Sequence, residues 1–120
     1  MTAGIALGLH GGCGTLARSL QSEADWAESR EHMALALRAA WKILHGGGSA
    51  LDAVQATVAV MEDSPHFNAG HGAALTARAE HELDAAIMDG HTLAAGAVCM
   101  VRRVRNPVVA ARAVLDGGEA

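Results

Sequence analysis

The sequence predicts a layered α+β fold, and three observations carry that expectation. Two helix-length stretches with apolar residues at helical spacing follow one another in the first half. Short apolar stretches separated by glycine-marked turns then crowd the second half. A further helix signal closes the chain at Asn106-Pro107. Runs of helices followed by runs of strands favour segregated layers over alternating βαβ units. The expected order is strand, helix, helix, strand, strand, strand, helix.

Each element has a local reason. Ile5-Ala6-Leu7-Gly8-Leu9 reads as a buried strand running into the glycine loop His10-Gly11-Gly12-Cys13-Gly14. From about Asp25 to His45, Trp26, Met33, Leu37, Trp41 and Leu44 share one helical face. Gly46-Gly47-Gly48 stops that helix, because glycine accepts the left-handed cap conformation. Ser49, with Asp52 at capping-box spacing, starts a second helix whose stripe is Leu51, Val54, Val58 and Met61. Pro65 ends it. Strands are expected at Ala73–Arg78 and Glu82–Met88, turning at Ala79–His81, and again from Leu93 to Val101 after the Asp89-Gly90 turn. Asn106 caps the last helix, Pro107 occupies its first position, and Gly117-Gly118 ends it.

Composition narrows the function classes. The chain has 120 residues, enough for one domain. Apolar residues make up 51%, yet there is no Tyr and one Phe, so Ala, Val, Leu and Met carry the core. Such side chains allow close element spacing and suit either burial against an obligate partner or an ordinary Ala-rich interior. A formal net charge of -4 argues against nucleic acid, and Arg102-Arg103-x-Arg105 reads as a solvated strand end. Cys13 and Cys99 form no disulfide framework or CxxC pair, so reduced thiols in a cytoplasmic protein are expected. The first residues lack a basic n-region and apolar core, so no secretory signal is read there. No 18-residue apolar run exists, so no membrane span is expected.

Several motifs have competing readings. Gly12-x-Gly14-x-x-Ala17 formally fits a dinucleotide fingerprint, but the region about twenty residues on, where an acidic strand end is required, is helical in pattern. A glycine turn is the better reading. His10-Gly11-Gly12 could present backbone N–H groups to an anionic intermediate, since glycine permits close approach. Cys13 has no nameable His/Asn arrangement and reads as a loop thiol. Asn68, before Ala69-Gly70-x-Gly72, either bonds its own loop or points into a site. The seven histidines, including His66, His71 and His81, lack recognised ligand spacing and read as scattered surface residues. Asp84 and Asp89 stand five apart, on opposite faces of an extended strand, so they do not form an acid/base dyad there. Asp89 reads as a turn residue.

Phe67-Asn68-Ala69-Gly70-His71-Gly72, Glu82-Leu83-Asp84-Ala85-Ala86-Ile87-Met88-Asp89-Gly90, His10-Gly11-Gly12 and Asn106-Pro107-x-x-x-Ala111-Arg112 together resemble the plant-type L-asparaginase/isoaspartyl peptidase family. The resemblance runs from about Leu7 to Leu115 and covers the N-terminal, α-subunit portion. It implies a threonine N-terminal-nucleophile hydrolase with a four-layer αββα sandwich, of which residues 1–120 supply a single partial domain. It also implies autoproteolysis, a β-subunit beginning with the nucleophilic Thr, an (αβ)2 heterotetramer and a small amide substrate, with neither nucleic acid nor membrane as partner.

On matching positions, Asn68, Gly11 and Gly12 would support the active site. The main-chain carbonyls of Met61, Glu62, Ser64, Phe67, Ala69 and His71 would hold a structural Na+. No cofactor is implied for the chemistry. The family's Gly-Thr-Val-Gly segment is absent, and Gly14-Thr15 lies too early to supply it. This chain alone is therefore expected to be inactive. A catalytically inert structural or interaction domain of the same fold, or part of a taspase-like threonine protease, are the alternatives. An unrelated ligand-binding α+β domain is a third.

Overall fold

A computed structural model of the chain describes residues 4–12 and 20–117. Three helices and two strands form among them: α1 (Glu23–His45), α2 (Ala50–Glu62), β1 (Leu83–Met88), β2 (Ala95–Val101) and α3 (Pro107–Gly117). A 3-10 turn, Gly70–Gly72, lies between α2 and β1. The α+β class and the helix–helix–strand–strand–helix succession hold.

Two of the expected strands do not form. Residues 5–9 run without secondary structure and have no ladder partner among the described residues. Leu7 and Leu9 are half-buried while their neighbours are exposed, the alternation of an extended segment that lacks a sheet to join. Residues 73–78 close on themselves instead. Thr76 N–H donates to the Glu80 carbonyl at 2.9 Å, Ala79 N–H donates to the Thr76 carbonyl at 2.9 Å, and Ala79 is left-handed at φ 57°. A turn that satisfies its own amides removes the donors a strand would need.

Helix starts follow local chemistry with three corrections. α1 begins earlier than expected because Ser22 and Asp25 form a reciprocal capping box, the Ser22 hydroxyl accepting from Asp25 N–H at 3.1 Å. At α2 only half of the expected box exists. The Ser49 hydroxyl accepts from Asp52 N–H at 3.0 Å, while the Asp52 carboxylate faces Arg112 of α3 at 3.0 Å. α3 starts at Pro107 as expected, but the Asn106 side chain does not cap it. Its amide donates to Asp63 at 3.1 Å. The Glu62 carboxylate, from the end of α2, accepts from Val108 N–H at 2.9 Å and caps α3 in its place.

Small residues decide the packing. Ala36 and Ala40 of α1 and Ala53 of α2 are almost wholly buried, so the two helices meet through alanines. Trp41 and Val54, expected on the apolar faces, remain exposed. The helix faces that bury are set by how closely the axes can approach, and alanine stripes approach closest. On its other side α2 packs Leu51 and Val58 against Ile87, Val108 and Ala111.

β1 and β2 pair antiparallel, with Ala86 opposite Ala97, Ile87 opposite Gly96 and Met88 opposite Ala95. A bulge between Leu83 and Ala85 leaves Met100 left-handed at φ 54°, and the Asp84 carboxylate accepts its N–H at 2.7 Å. The turn after β1 is held by Asp89, whose carboxylate accepts from His91 N–H and the Thr92 hydroxyl, both at 2.9 Å. These bonds, the His91 amide first, hold the Asp89 carboxyl below the usual range. Asp84 and Asp89 thus serve separate local roles and form no dyad.

One sheet face packs on α3 and α2. The other carries Ala86, Met88, Ala95 and Ala97, all exposed, with Cys99 beyond them. The molecule is a slab of 46 × 37 × 19 Å. Its radius of gyration, 15.6 Å, exceeds the about 14 Å of a compact domain of this length. No helix among the described residues is long and apolar enough to cross a membrane.

Candidate functional site

The expected site residues lie on two loops that meet. The first follows the N-terminal extended segment. At Gly11 a Cβ would stand 2.7 Å from Met33 Sδ, 3.0 Å from Phe67 Cε1 and 3.1 Å from Met61 Cε. Any side chain here would have to displace the tips of Met33 on α1, Met61 near the end of α2 and Phe67 on the second loop, so glycine suits this close approach. Gly12 follows at φ 114°, a region open to glycine. The glycine loop is therefore seated on Phe67, directly before Asn68. Cys13, Gly14, Thr15 and Ala17 lie outside the described residues.

The second loop leaves α2 at Asp63 and turns sharply. Gly70, at φ 52°, sits where any Cβ would strike the Glu62 carbonyl, and a Cβ on Gly72 would strike the Phe67 carbonyl. The Met61 carbonyl accepts Ser64 N–H at 3.2 Å, the Phe67 carbonyl accepts Ala69 N–H at 2.8 Å, and the Ala69 carbonyl accepts Gly72 N–H at 3.1 Å. The chain from Met61 to His71 is thus tightly coiled, with the Met61, Phe67 and Ala69 carbonyls each accepting an amide from within the loop. Phe67 and Ser64 are buried, and His71 and Asn68 are exposed. The Asn68 side-chain carbonyl accepts Ala74 N–H at 2.8 Å, which closes the loop from Asn68 to Ala74. Both earlier readings of Asn68 survive, since one acceptor is spent locally and the residue remains open to solvent.

Charge is concentrated beside this loop. A cleft of about 490 Å³ is lined by Glu62, Asp63, His71, His81, Arg102 and Arg105 among others. Arg102 pairs with Glu82 and, at 3.2 Å, with Glu80. Arg105 pairs in bidentate fashion with Asp63 at 3.1 Å. The Arg105 guanidinium holds the Asp63 carboxyl below the usual range, while burial pushes the Glu62 carboxyl up. The two arginines already have carboxylate partners, so the cleft offers no free guanidinium to an anion. Neither Asn68 nor Gly11 lines it.

The expectation of scattered surface histidines fails at two positions. His32 Nδ1 lies 2.6 Å from the Ser64 hydroxyl, and His66 Nε2 lies 3.0 Å from the Glu28 carboxylate. The two rings meet edge to face with centroids 5.0 Å apart. The sequence carries only half of the signal, and the fold supplies the rest. Glu28 and His32 are four apart on α1 and share one face, opposite the loop that carries Ser64 and His66. The described residues hold no cluster of three or more His, Cys, Asp or Glu able to bind a metal.

Comparison with known proteins adds a family. The profile of the family described as Asparaginase matches residues 3–119. The isoaspartyl peptidase of Escherichia coli K12 is 45% identical over 113 residues, covering 92% of this chain and 34% of the relative. An isoaspartyl peptidase/L-asparaginase of Danio rerio is 44% identical over 108 residues, covering 90% and 33%. A plant-type L-asparaginase of Pyrococcus abyssi is 45% identical over 112 residues, covering 93% and 35%. The chain thus spans about a third of the length of these curated relatives.

Proposed function

The chain belongs to the asparaginase family, and from that premise we propose that it is the N-terminal, α-subunit portion of an amidohydrolase acting on L-asparagine or β-aspartyl dipeptides. The observation that carries this reading is the junction of Gly11 with Phe67, which sets the glycine loop beside Asn68. Each loop alone has an ordinary explanation. Their apposition makes one edge where backbone amides and an asparagine can face a reacting group.

The nucleophile would come from a β-subunit beginning with Thr. Its hydroxyl oxygen attacks the side-chain amide carbon while its own α-amine accepts the proton. The C–N bond breaks, and ammonia or the peptide amine leaves with that proton. Water then cleaves the acyl ester, releasing aspartate and restoring Thr. In this scheme Asn68, Gly11 and Gly12 hold the nucleophile's surroundings and undergo no covalent change.

The same reading assigns this chain one helix layer and one sheet of a four-layer αββα sandwich, as a partial domain within an (αβ)2 assembly. The bare apolar face at Ala86, Met88, Ala95 and Ala97 supports it. So does the 19 Å thickness, about the depth of one helix layer on one sheet.

The reading extends to a monovalent cation on the main-chain carbonyls of this loop. Hard cations take oxygen ligands, and neutral oxygens suit a single charge. Met61, Glu62, Ser64, Phe67, Ala69 and His71 would hold Na+, which would fix the curl of the loop and take no part in bond breaking.

The test is denaturing mass analysis, with N-terminal sequencing, of the product of the whole reading frame that contains this chain. A second species beginning with Thr, together with hydrolysis of asparagine or a β-aspartyl dipeptide, supports the proposal. A single unprocessed chain without hydrolysis overturns it and leaves a structural domain of the same fold.

A further inference from the structure

We propose that His32 is a positioning residue for the Asn68 loop, acting through Ser64 to set turnover. Ser64 stands two residues past the end of α2 and is 1% exposed. Its hydroxyl meets His32 Nδ1 at 2.6 Å and accepts His66 N–H at 3.2 Å. A hydroxyl has one proton and two lone pairs, so both bonds form together. His66 in turn reaches the Glu28 carboxylate at 3.0 Å, and its ring abuts His32.

Two side chains one turn apart on α1 thus grip the loop at two points, Ser64 and His66. The next residue, Phe67, is clamped beneath Gly11, and the one after it is Asn68. α1 is a rigid base, since it packs on α2 through buried alanines. A mutually bonded polar cluster centred on the buried Ser64 hydroxyl fixes one geometry where apolar contacts would accept several. Asn68 itself is exposed, and among the described residues its side chain is tethered only by Ala74 N–H. Its place therefore depends on the grip at Ser64 and His66.

This inference rests on the amidohydrolase reading for its kinetic arm only. In the complete enzyme, His32→Leu removes the bond and keeps an apolar side chain. Ser64→Ala removes one oxygen and is the milder test should His32→Leu fold poorly. His32→Asn places an amide where Nδ1 stood. The first two are expected to lower kcat about tenfold or more while KM moves less than about twofold, since small misplacements near a reacting centre act on turnover. His32→Asn is expected to recover most of the loss.

The second arm is amide exchange. Ala74 N–H, bonded to Asn68, is expected to exchange about tenfold faster in Ser64→Ala, with Leu93 N–H in the β-turn unchanged. Unaltered kcat in both disrupting variants, or unaltered Ala74 exchange, overturns the proposal. So does an equal kcat loss in His32→Asn. If the parent enzyme hydrolyses neither substrate, the amidohydrolase reading fails, and Ala74 exchange alone decides the role of His32.

Discussion

Glu62 offers the sharpest test of how the fold is held together. It is 3% exposed, ends α2, and caps a different helix by accepting Val108 N–H at 2.9 Å. Its second oxygen is buried with no hydrogen bond among the described residues. In Glu62→Ala the Val108 amide, on a residue 1% exposed, loses its acceptor. An unpaired buried amide costs about 1–3 kcal/mol, and the lost methylene adds about 0.8 kcal/mol. Relief of the buried carboxylate works the other way. The net expectation is a loss of about 2–3 kcal/mol, or roughly 6–12 °C in Tm for a chain of this length. Glu62→Gln keeps an oxygen toward Val108 N–H and removes the charge, so it is expected within about 1 kcal/mol of the parent.

The pH dependence follows from the same burial. The folded-state pKa of Glu62 is raised, chiefly by burial. The folded protein therefore takes up this proton more readily than the unfolded chain. The cost of its charge is full above the raised pKa and fades as pH falls through it toward the ordinary carboxylate value. The stability of Glu62→Gln relative to the parent is thus greatest at neutral pH and declines on acidification. Urea unfolding of parent and both variants, followed by circular dichroism at several pH values, reads all of this. An Ala variant within about 0.5 kcal/mol of the parent would refute the cross-helix cap. A Gln variant as damaged as Ala would show that the charge, and not the acceptor, is what α3 requires.

Other outcomes are expected. Asn68→Ala in the complete enzyme should lower turnover strongly while assembly survives, because Asn68 is exposed and the lost Ala74 bond is worth about 1 kcal/mol; normal activity would remove its active-site role. Gly96→Ala should destabilise the chain by about 1–3 kcal/mol, since a Cβ there strikes the backbone of α3 at Ala111 and stands 2.9 Å from Leu115 Cα. An unchanged Tm would contradict that packing. Replacing Na+ by a large organic cation should lower Tm and quicken exchange in the Met61–His71 loop, and identical melting and activity would count against the cation.

Much of this arrangement was legible in the sequence where a local rule decides. Helix ends at Ser49, Pro65 and Pro107, and the Asp89-Gly90 turn, each depend on residues within a few positions. What stayed hidden depends on distant partners. No rule of spacing shows that Glu62 will cap α3 or that Asn106 will turn to Asp63. Trp41 belongs to the apolar stripe by periodicity, yet the alanines beside it take the contact. The strand expected at residues 5–9 needs a neighbouring strand, and hydropathy cannot reveal where that neighbour lies. For the site, the motif residues were visible, whereas the His32–Ser64 contact joins two elements that only the fold brings together.

The alanine-lined outer face of the sheet has a thermodynamic consequence. Alanine has no side-chain rotamers to freeze, so covering Ala86, Ala95 and Ala97 carries almost no side-chain entropy loss. Apart from Met88 at its edge, a surface of that kind is also smooth. It selects its cover by how closely another backbone can approach, with little demand for matching side-chain shapes. Lengthening one of these alanines would leave the slab itself intact while holding any cover at a distance, so damage there would surface as failed closure in a chain that folds normally.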